Sequence, residues 1–243
     1  MRTAFIEELI LLARVNPHIF LIVGDLGYSV VEPFAQEFPD RFLNAGVAEQ
    51  NMAGAAAGLA SEGYHVFTYS IGNFSTFRCA EQIRNDIAYH NLPVTIVSVG
   101  GGVAYGNLGY SHHLIQDYAL LRSFPKMLIA APGDPMEVRG CLRYLVAHPQ
   151  PSYLRLGKAG EAIFHREVPC LKPGKWVLVS EGTKPKHILL STGGALGTAL
   201  KWRRKKSFHG FSNFSLPLWG MQQKSLQNSQ VRKCSRLVTF EDH

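Results

Sequence analysis

Asn44-Ala45-Gly46-Val47-Ala48-Glu49-Gln50-Asn51-Met52 decides how this chain is read. The stretch joins a short apolar strand, Arg41 to Ala45, to a helix whose residues 53 to 60 run Ala-Gly-Ala-Ala-Ala-Gly-Leu-Ala. A helix with so little bulk lets a neighbouring backbone or a flat ligand come close. The strand delivers Glu49 near the carboxyl end of a sheet, where open α/β folds keep their ligands. An acid in the first turn of a helix also complements the helix dipole, so spacing alone leaves a purely structural role open for Glu49.

Outward from that stretch, short apolar runs alternate with helical patterns. Phe20–Val23, Phe42–Leu43, Val66–Tyr69, Val94–Val99, Met127–Ala131 and Tyr153–Leu156 read as strands. Helical spacing covers Phe5–Ala13 and residues 47–61, 73–90, 114–123 and 134–147. This alternation predicts an α/β fold, a mainly parallel sheet with helices on both faces. Every strand-to-helix loop then lies along one edge, which would carry Asp25, Glu49, the segment after Tyr69 and the glycine-rich loop from Gly100.

Composition excludes several classes. At 46% hydrophobic the chain is ordinary globular material, and no apolar run is long enough to span a membrane. Glu7 and Glu8 interrupt the first apolar stretch, which argues against a signal peptide. Four scattered cysteines have no metal-ligand spacing and read as reduced thiols of a cytoplasmic protein. The net charge of +7 resides wholly in residues 201–243, which hold nine of the 25 Lys and Arg but two of the 18 acids. A balanced body with a basic tail does not describe a nucleic-acid binder.

Residues 1–165 form one expected domain. A second, 166–243, starts with strands at Trp176–Val179 and His187–Leu190, opens a helix at Thr192–Ala195 and shows a strand at Leu237–Phe240. Two or three strands with part of a helix bury too little surface to stand alone, so this α/β domain reads as incomplete. The run Lys201-Trp-Arg-Arg-Lys-Lys-Ser-Phe-His-Gly210 shows no helical apolar period, leaving truncation, disorder, a compensated frameshift or a solvated basic loop all open from 201 onward.

Two further features share the edge with Glu49. Ile71, Phe74 and Phe77 are three apart and share one face of a starting helix, a pattern that core packing also explains. The loop Gly100-Gly-Gly-Val-Ala-Tyr-Gly-Asn-Leu-Gly-Tyr-Ser-His112-His113 is long and glycine-rich, which favours function over filler. Its two histidines can move protons near neutral pH. Adjacent histidines seldom face one atom and no third ligand lies nearby, so no metal site is expected.

Taken together, Gly24-Asp25, Asn44–Gln50, Phe74, Cys79–Asp86 and Gly109–His113 resemble the pyrimidine-binding half of transketolases. They are most similar to the separate C-terminal subunit of split enzymes, a likeness that runs from about residue 5 to 200 and returns at Leu216–Gly220 and Val238–His243. The resemblance implies thiamine diphosphate as cofactor and transfer of a two-carbon ketol unit between sugars. In that family the glutamate matching Glu49 shares a proton with a ring nitrogen of the aminopyrimidine, which burial of the carboxyl favours. Ile71, Phe74 and Phe77 would wall the pyrimidine, with Asp25 at the cofactor's margin. His112 would exchange protons with the sugar, with His113 beside it. Arg155 and Lys158 match positions that hold a phosphate or polar substrate end.

The pattern also breaks. No Gly-Asp-Gly occurs, and Gly24-Asp25-Leu26 lies on the wrong domain to replace it, so magnesium and the diphosphate would be held mainly by an N-terminal partner subunit. Homodimerisation through the pyrimidine domain is implied as well. Glycines at 100–102, where transketolases often have a histidine, keep two relatives in view: a 1-deoxyxylulose-5-phosphate synthase-like enzyme and an oxoacid dehydrogenase beta-like subunit. A truncated, non-catalytic remnant that only binds a partner is the reading of another class.

Overall fold

The computed structural model describes residues 1–182, 187–205, 211–220 and 236–241. The chain enters through α1 (Arg2–Val15), β1 (Ile19–Val23), α2 (Glu32–Glu37) and β2 (Phe42–Asn44). It continues through α3 (Glu49–Ser61), β3 (His65–Ile71), α4 (Gly72–Thr76), α5 (Ala80–Gln82) and a π-helical turn at Ile83–Ala88. Then follow β4 (Val94–Val99), α6 (Asp117–Arg122), β5 (Leu128–Ala130), α7 (Pro135–Ala147) and β6 (Ser152–Leu156). The last described elements are β7 (Val177–Ser180), β8 (His187–Ser191), α8 (Ala195–Lys205), β9 (Phe211–Ser215), β10 (Leu218–Gly220) and β11 (Arg236–Phe240).

Among the described residues, seven strands form a first sheet in the order β10-β5-β6-β4-β3-β1-β2, parallel except for β10. The alternation of side chains along each strand sorts them to two faces. Val23, Phe67, Tyr69, Val99 and Leu156 pack beneath α1 and α7 in one buried cluster. Ile22, Val66, Ile96 and Tyr153 pack beneath α3, the π turn and α6 in the other. The α/β fold with helices on both faces is therefore the one the alternation predicts. Buried Glu8 joins α1 to α7 by pairing with Arg139 at 3.2 Å and Arg143 at 2.7 Å.

The expected helix over 73–90 is broken instead into α4, α5 and the π turn. Thr76 Oγ1 donates to Gly72 O at 2.6 Å, and Ser75 Oγ donates to the carbonyls of Ile71 and Gly72. Such side-chain bonds compete with the helical ladder. The helix expected from 114 starts only at Asp117, because Leu114 exchanges backbone hydrogen bonds with Gly102 across the base of the glycine loop.

A second sheet runs β11-β8-β9-β7, with β7 antiparallel and the rest parallel. It is a partial companion to the first. The basic run was expected to lack helix, yet α8 continues through Lys205. Its buried stripe, Leu196, Ala199 and Leu200, begins before the run and is carried on by Trp202, which packs edge-on against Phe211, and by Arg203, which donates to Ser180 and Glu181. The period is helical once Leu196 is included in the window. Residues 206–210, 221–235 and the terminal Asp242-His243 of the resemblance lie outside the described residues.

Candidate active site

Glu49 is the first residue of α3 and is 2% exposed. Its Oε1 accepts from Ser70 Oγ at 3.3 Å, a residue that the period of β3 turns to the same face. Its Oε2 accepts from Arg78 Nη1 at 2.9 Å. A buried carboxyl with hydrogen-bond donors at both oxygens is more than a dipole-complementing acid, since the first turn would hold such an acid in water equally well. The guanidinium of Arg78 also lies 4.9 Å from the centre of the Phe74 ring.

From Phe74 the contacts run on across the edge. Its ring meets His112 edge-on at 5.1 Å, and His112 in turn lies edge-on to Tyr105 at 6.1 Å. Lys158 Nζ sits 4.9 Å from the centre of the Tyr105 ring. Glu49, Phe74, His112 and Lys158 are thus one continuous array, threaded through Arg78 and Tyr105. Ser111 Oγ and His112 Nδ1 are 3.1 Å apart, which leaves the other ring nitrogen of His112 for a different partner.

Other sequence-predicted residues are placed differently. Ile71 ends β3 beside this array, whereas Phe77 at 37% exposed stands at its outer rim. Asp25 is exposed at the end of β1 and exchanges hydrogen bonds with Asn44, at 3.1 and 3.2 Å. His113 is turned into its own loop, its Nε2 3.3 Å from Gly106 O. Arg155 corrects the sequence expectation most sharply. It is 3% exposed, and the period of β6 directs it inward under the loop rather than out to a substrate. Its Nε lies 3.0 Å from Asp117 Oδ2, it donates to Leu114 O, and it stacks 4.4 Å from the Tyr118 ring centre.

This internal network explains part of the glycine run. A Cβ at Gly101 would come within 2.6 Å of Arg155 Nε, so the loop lies on the guanidinium only because residue 101 has no side chain. Tyr153 OH donates to the same Asp117 oxygen at 2.6 Å. Burial pushes the Asp117 carboxyl above its ordinary range, against the opposing pull of Arg155 and Tyr153. The buried ion pair sets the floor of the cleft. Arg78, Ser70, Tyr105 and Asp117 were not singled out from sequence, because their roles depend on which strand ends adjoin. Among the described residues there is no cluster of acidic, histidine or cysteine side chains able to hold a metal, and no helix long and apolar enough to cross a membrane.

Comparison with known proteins agrees with this fold and edge. Residues 1–160 match the family model for the transketolase pyrimidine binding domain. The chain belongs to the transketolase family, as a carrier of its pyrimidine-binding domain. One of the two kinds of chain of an apulose-4-phosphate transketolase from Phocaeicola vulgatus is 42% identical over 159 residues, 65% of this chain and 51% of that protein. The 6-deoxy-6-sulfo-D-fructose transketolase subunit SqwH of a Clostridium species is 31% identical over 201 residues, 82% of this chain and 62% of its own length. This chain therefore spans about half to three fifths of these two relatives. A solved split-gene transketolase, described as an inactive beta4 tetramer, superposes with a TM-score of 0.84 at 30% identity, covering 100% of this chain and 79% of that one.

Proposed function

We propose that this chain supplies the pyrimidine side of a thiamine-diphosphate active site that transfers a two-carbon ketol unit between sugars, in complex with a diphosphate-binding subunit. The observation that carries the reading is the buried carboxyl of Glu49, held by Ser70 and Arg78 and continuous through Phe74 with His112. The aminopyrimidine end of the cofactor fits these groups: a flat ring needs an aromatic wall, which Phe74 offers, and a carboxyl at a ring nitrogen, which Glu49 offers. The diphosphate end does not find its partners here, since the described residues hold no oxygen-rich cation site and the sequence has no Gly-Asp-Gly. Magnesium and the diphosphate are assigned to the partner.

Thiamine diphosphate, when bound, supplies the nucleophilic carbon that accepts the ketol unit. Glu49 holds and shares a proton at the pyrimidine nitrogen, and Ser70 and Arg78 keep its carboxyl aimed there. His112, half-buried at the end of the glycine loop, exchanges a proton with a sugar hydroxyl or carbonyl. Lys158, exposed at the far end of the array, receives the polar end of the sugar. The outer side of α3 supports close approach of a second pyrimidine domain, because Gly54 and Gly58 there meet nothing within 4 Å.

The test is co-expression with a diphosphate-binding transketolase subunit, followed by thiamine diphosphate titration and ketol-transfer assay. Glu49→Gln is expected to lower turnover by about 100-fold or more, the range of a lost proton-transfer group. Undiminished turnover in that variant would sink the catalytic assignment. Tight binding of thiamine diphosphate by the isolated chain would refute the divided site. A pair that assembles but neither binds nor reacts would identify a remnant instead.

A further inference from the structure

Tyr105 stands where the array could most easily come apart. It lies in the middle of the glycine loop, half-buried, with no hydrogen bond from its phenol among the described residues. Burial pushes that phenol above its ordinary range, partly offset by Arg2, so the ring stays neutral. What holds it is the backbone beneath. Gly100 adopts φ +90°, and a Cβ there would lie 2.1 Å from one ring carbon of Tyr105 and 2.7 Å from the next. Gly100 itself is tied to β6 by its N–H, which donates to Leu156 O at 2.9 Å. The ring is thus seated on the sheet edge at a position that only glycine can vacate.

Two proposed substrate groups rest on opposite parts of this ring. The His112 imidazole meets it edge-on at 6.1 Å, within the range of favourable aromatic pairs. The Lys158 ammonium stands 4.9 Å from its centre, within the range of a cation–π contact. An exposed lysine and a loop histidine are otherwise free to sample many rotamers. We propose that Tyr105, through its ring rather than its hydroxyl, is a positioning residue that sets His112 and Lys158 at a fixed separation along the cleft, and that Gly100 is glycine in order to seat it. The proposal rests on the assignment of His112 and Lys158 to the substrate, and its geometric half stands without that assignment.

The experiment pairs a structural with a kinetic readout. In the isolated full chain, the His112 ring resonance is assigned by its loss in His112→Gln, and Lys158 reactivity is followed with an amine-acylating reagent and mass spectrometry. Tyr105→Leu and Gly100→Ala are both expected to move the His112 resonance and change the Lys158 rate, while Tyr105→Phe changes neither. With the partner subunit, Tyr105→Leu is expected to raise KM for the sugar and lower kcat, together at least about tenfold in kcat/KM. Tyr105→Phe is expected to match wild type, and the thiamine diphosphate dissociation constant to stay the same in both. An unmoved His112 resonance in Tyr105→Leu, or equal damage from Tyr105→Phe, overturns the proposal. So does a moved resonance with unchanged kinetics in an active pair. If the wild-type pair transfers no ketol group, the functional reading fails, while the resonance and acylation results still decide whether Tyr105 positions its neighbours.

Discussion

At the scale of single residues, burial determines what each titratable side chain does. Glu49 is kept inside by a hydroxyl and a guanidinium, and His65 is kept inside by almost nothing polar. His65 is 4% exposed, stacked 4.5 Å from Phe67, with one ring nitrogen 2.9 Å from Thr95 Oγ1 and the other, Nδ1, unpartnered. Burial lowers its pKa from 6.5 to about 4. Between those values the unfolded chain takes up a proton that the folded chain refuses, so the stabilisation is complete above pH 6.5 and is lost as pH falls toward 4. A shift of this size corresponds to about 3 kcal/mol. His65→Phe is expected to flatten the acid limb of stability measured by urea unfolding at a series of pH values. The residue type announced a titratable group, but nothing local to His65 told that its strand would be covered on both faces.

At the scale of elements, the loop that follows β4 is shaped from below by β6. Its glycines looked like a flexible or ligand-cradling run, and at Gly101 the cause is instead contact with a buried arginine. Arg155→Leu removes one member of the pair and leaves Asp117, fully buried, without its cation. The expected cost is about 3–5 kcal/mol in unfolding free energy, as for other broken buried pairs. A double variant, Arg155→Leu with Asp117→Asn, is expected to recover part of it. Limited proteolysis between 100 and 116 would report the loop directly, with faster cleavage in the single variant. Helix α3 was legible because its start, its small residues and its acid sit within one window. By contrast, β9 was not recognised: Phe211-Ser-Asn-Phe-Ser215 has a polar majority, yet all five residues are buried. Its hydroxyls find partners far away in sequence, Ser212 accepting from Gly182 N–H and Ser215 donating to Glu137.

At the scale of the whole molecule, one buried polar joint links the first sheet to the second. Asp134 caps α7 and accepts from Glu137 N, Phe164 N, His165 N and His165 Nδ1. Glu137 accepts from Gly133 N at 2.7 Å and from Ser215 of β9 at 3.1 Å, and His165 Nε2 lies 3.6 Å from it. Burial pushes Glu137 up to about 7 against those hydrogen bonds. Burial pulls His165 down, but the bond to Asp134 and the two carboxylates outweigh it and leave its pKa raised. Both groups therefore stabilise the fold in their protonated forms. Glu137's contribution is complete below about 4.5 and is lost as pH rises through 7, and His165's is complete below 6.5 and is lost above its raised value. Wild type is expected to lose stability on the alkaline side of neutrality, and Glu137→Gln to lose much less. Unfolding followed by tryptophan fluorescence from pH 5 to about 8.5 checks this, with Trp176, Trp202 and Trp219 reporting on the second half. An unchanged alkaline slope in the variant would place the pH dependence elsewhere.

What the sequence alone determined is the repeating part of the molecule. Apolar runs alternating with helical stripes specify a parallel sheet covered on both faces, and the Asn44–Met52 stretch puts Glu49 at the end of a strand and the start of a small-residue helix, because each of these is a property of neighbours along the chain. The tertiary structure decided everything that depends on neighbours across it. Arg155 turned inward because the face of β6 opposite Leu154 and Leu156 lies under the glycine loop. Arg78 reached Glu49 because α4 stops at Thr76 and returns the chain toward α3. Strand β10 left the second sheet to pair with β5, a choice that three residues cannot encode. Local pattern fixes which side chains share a face, and only packing fixes which faces meet.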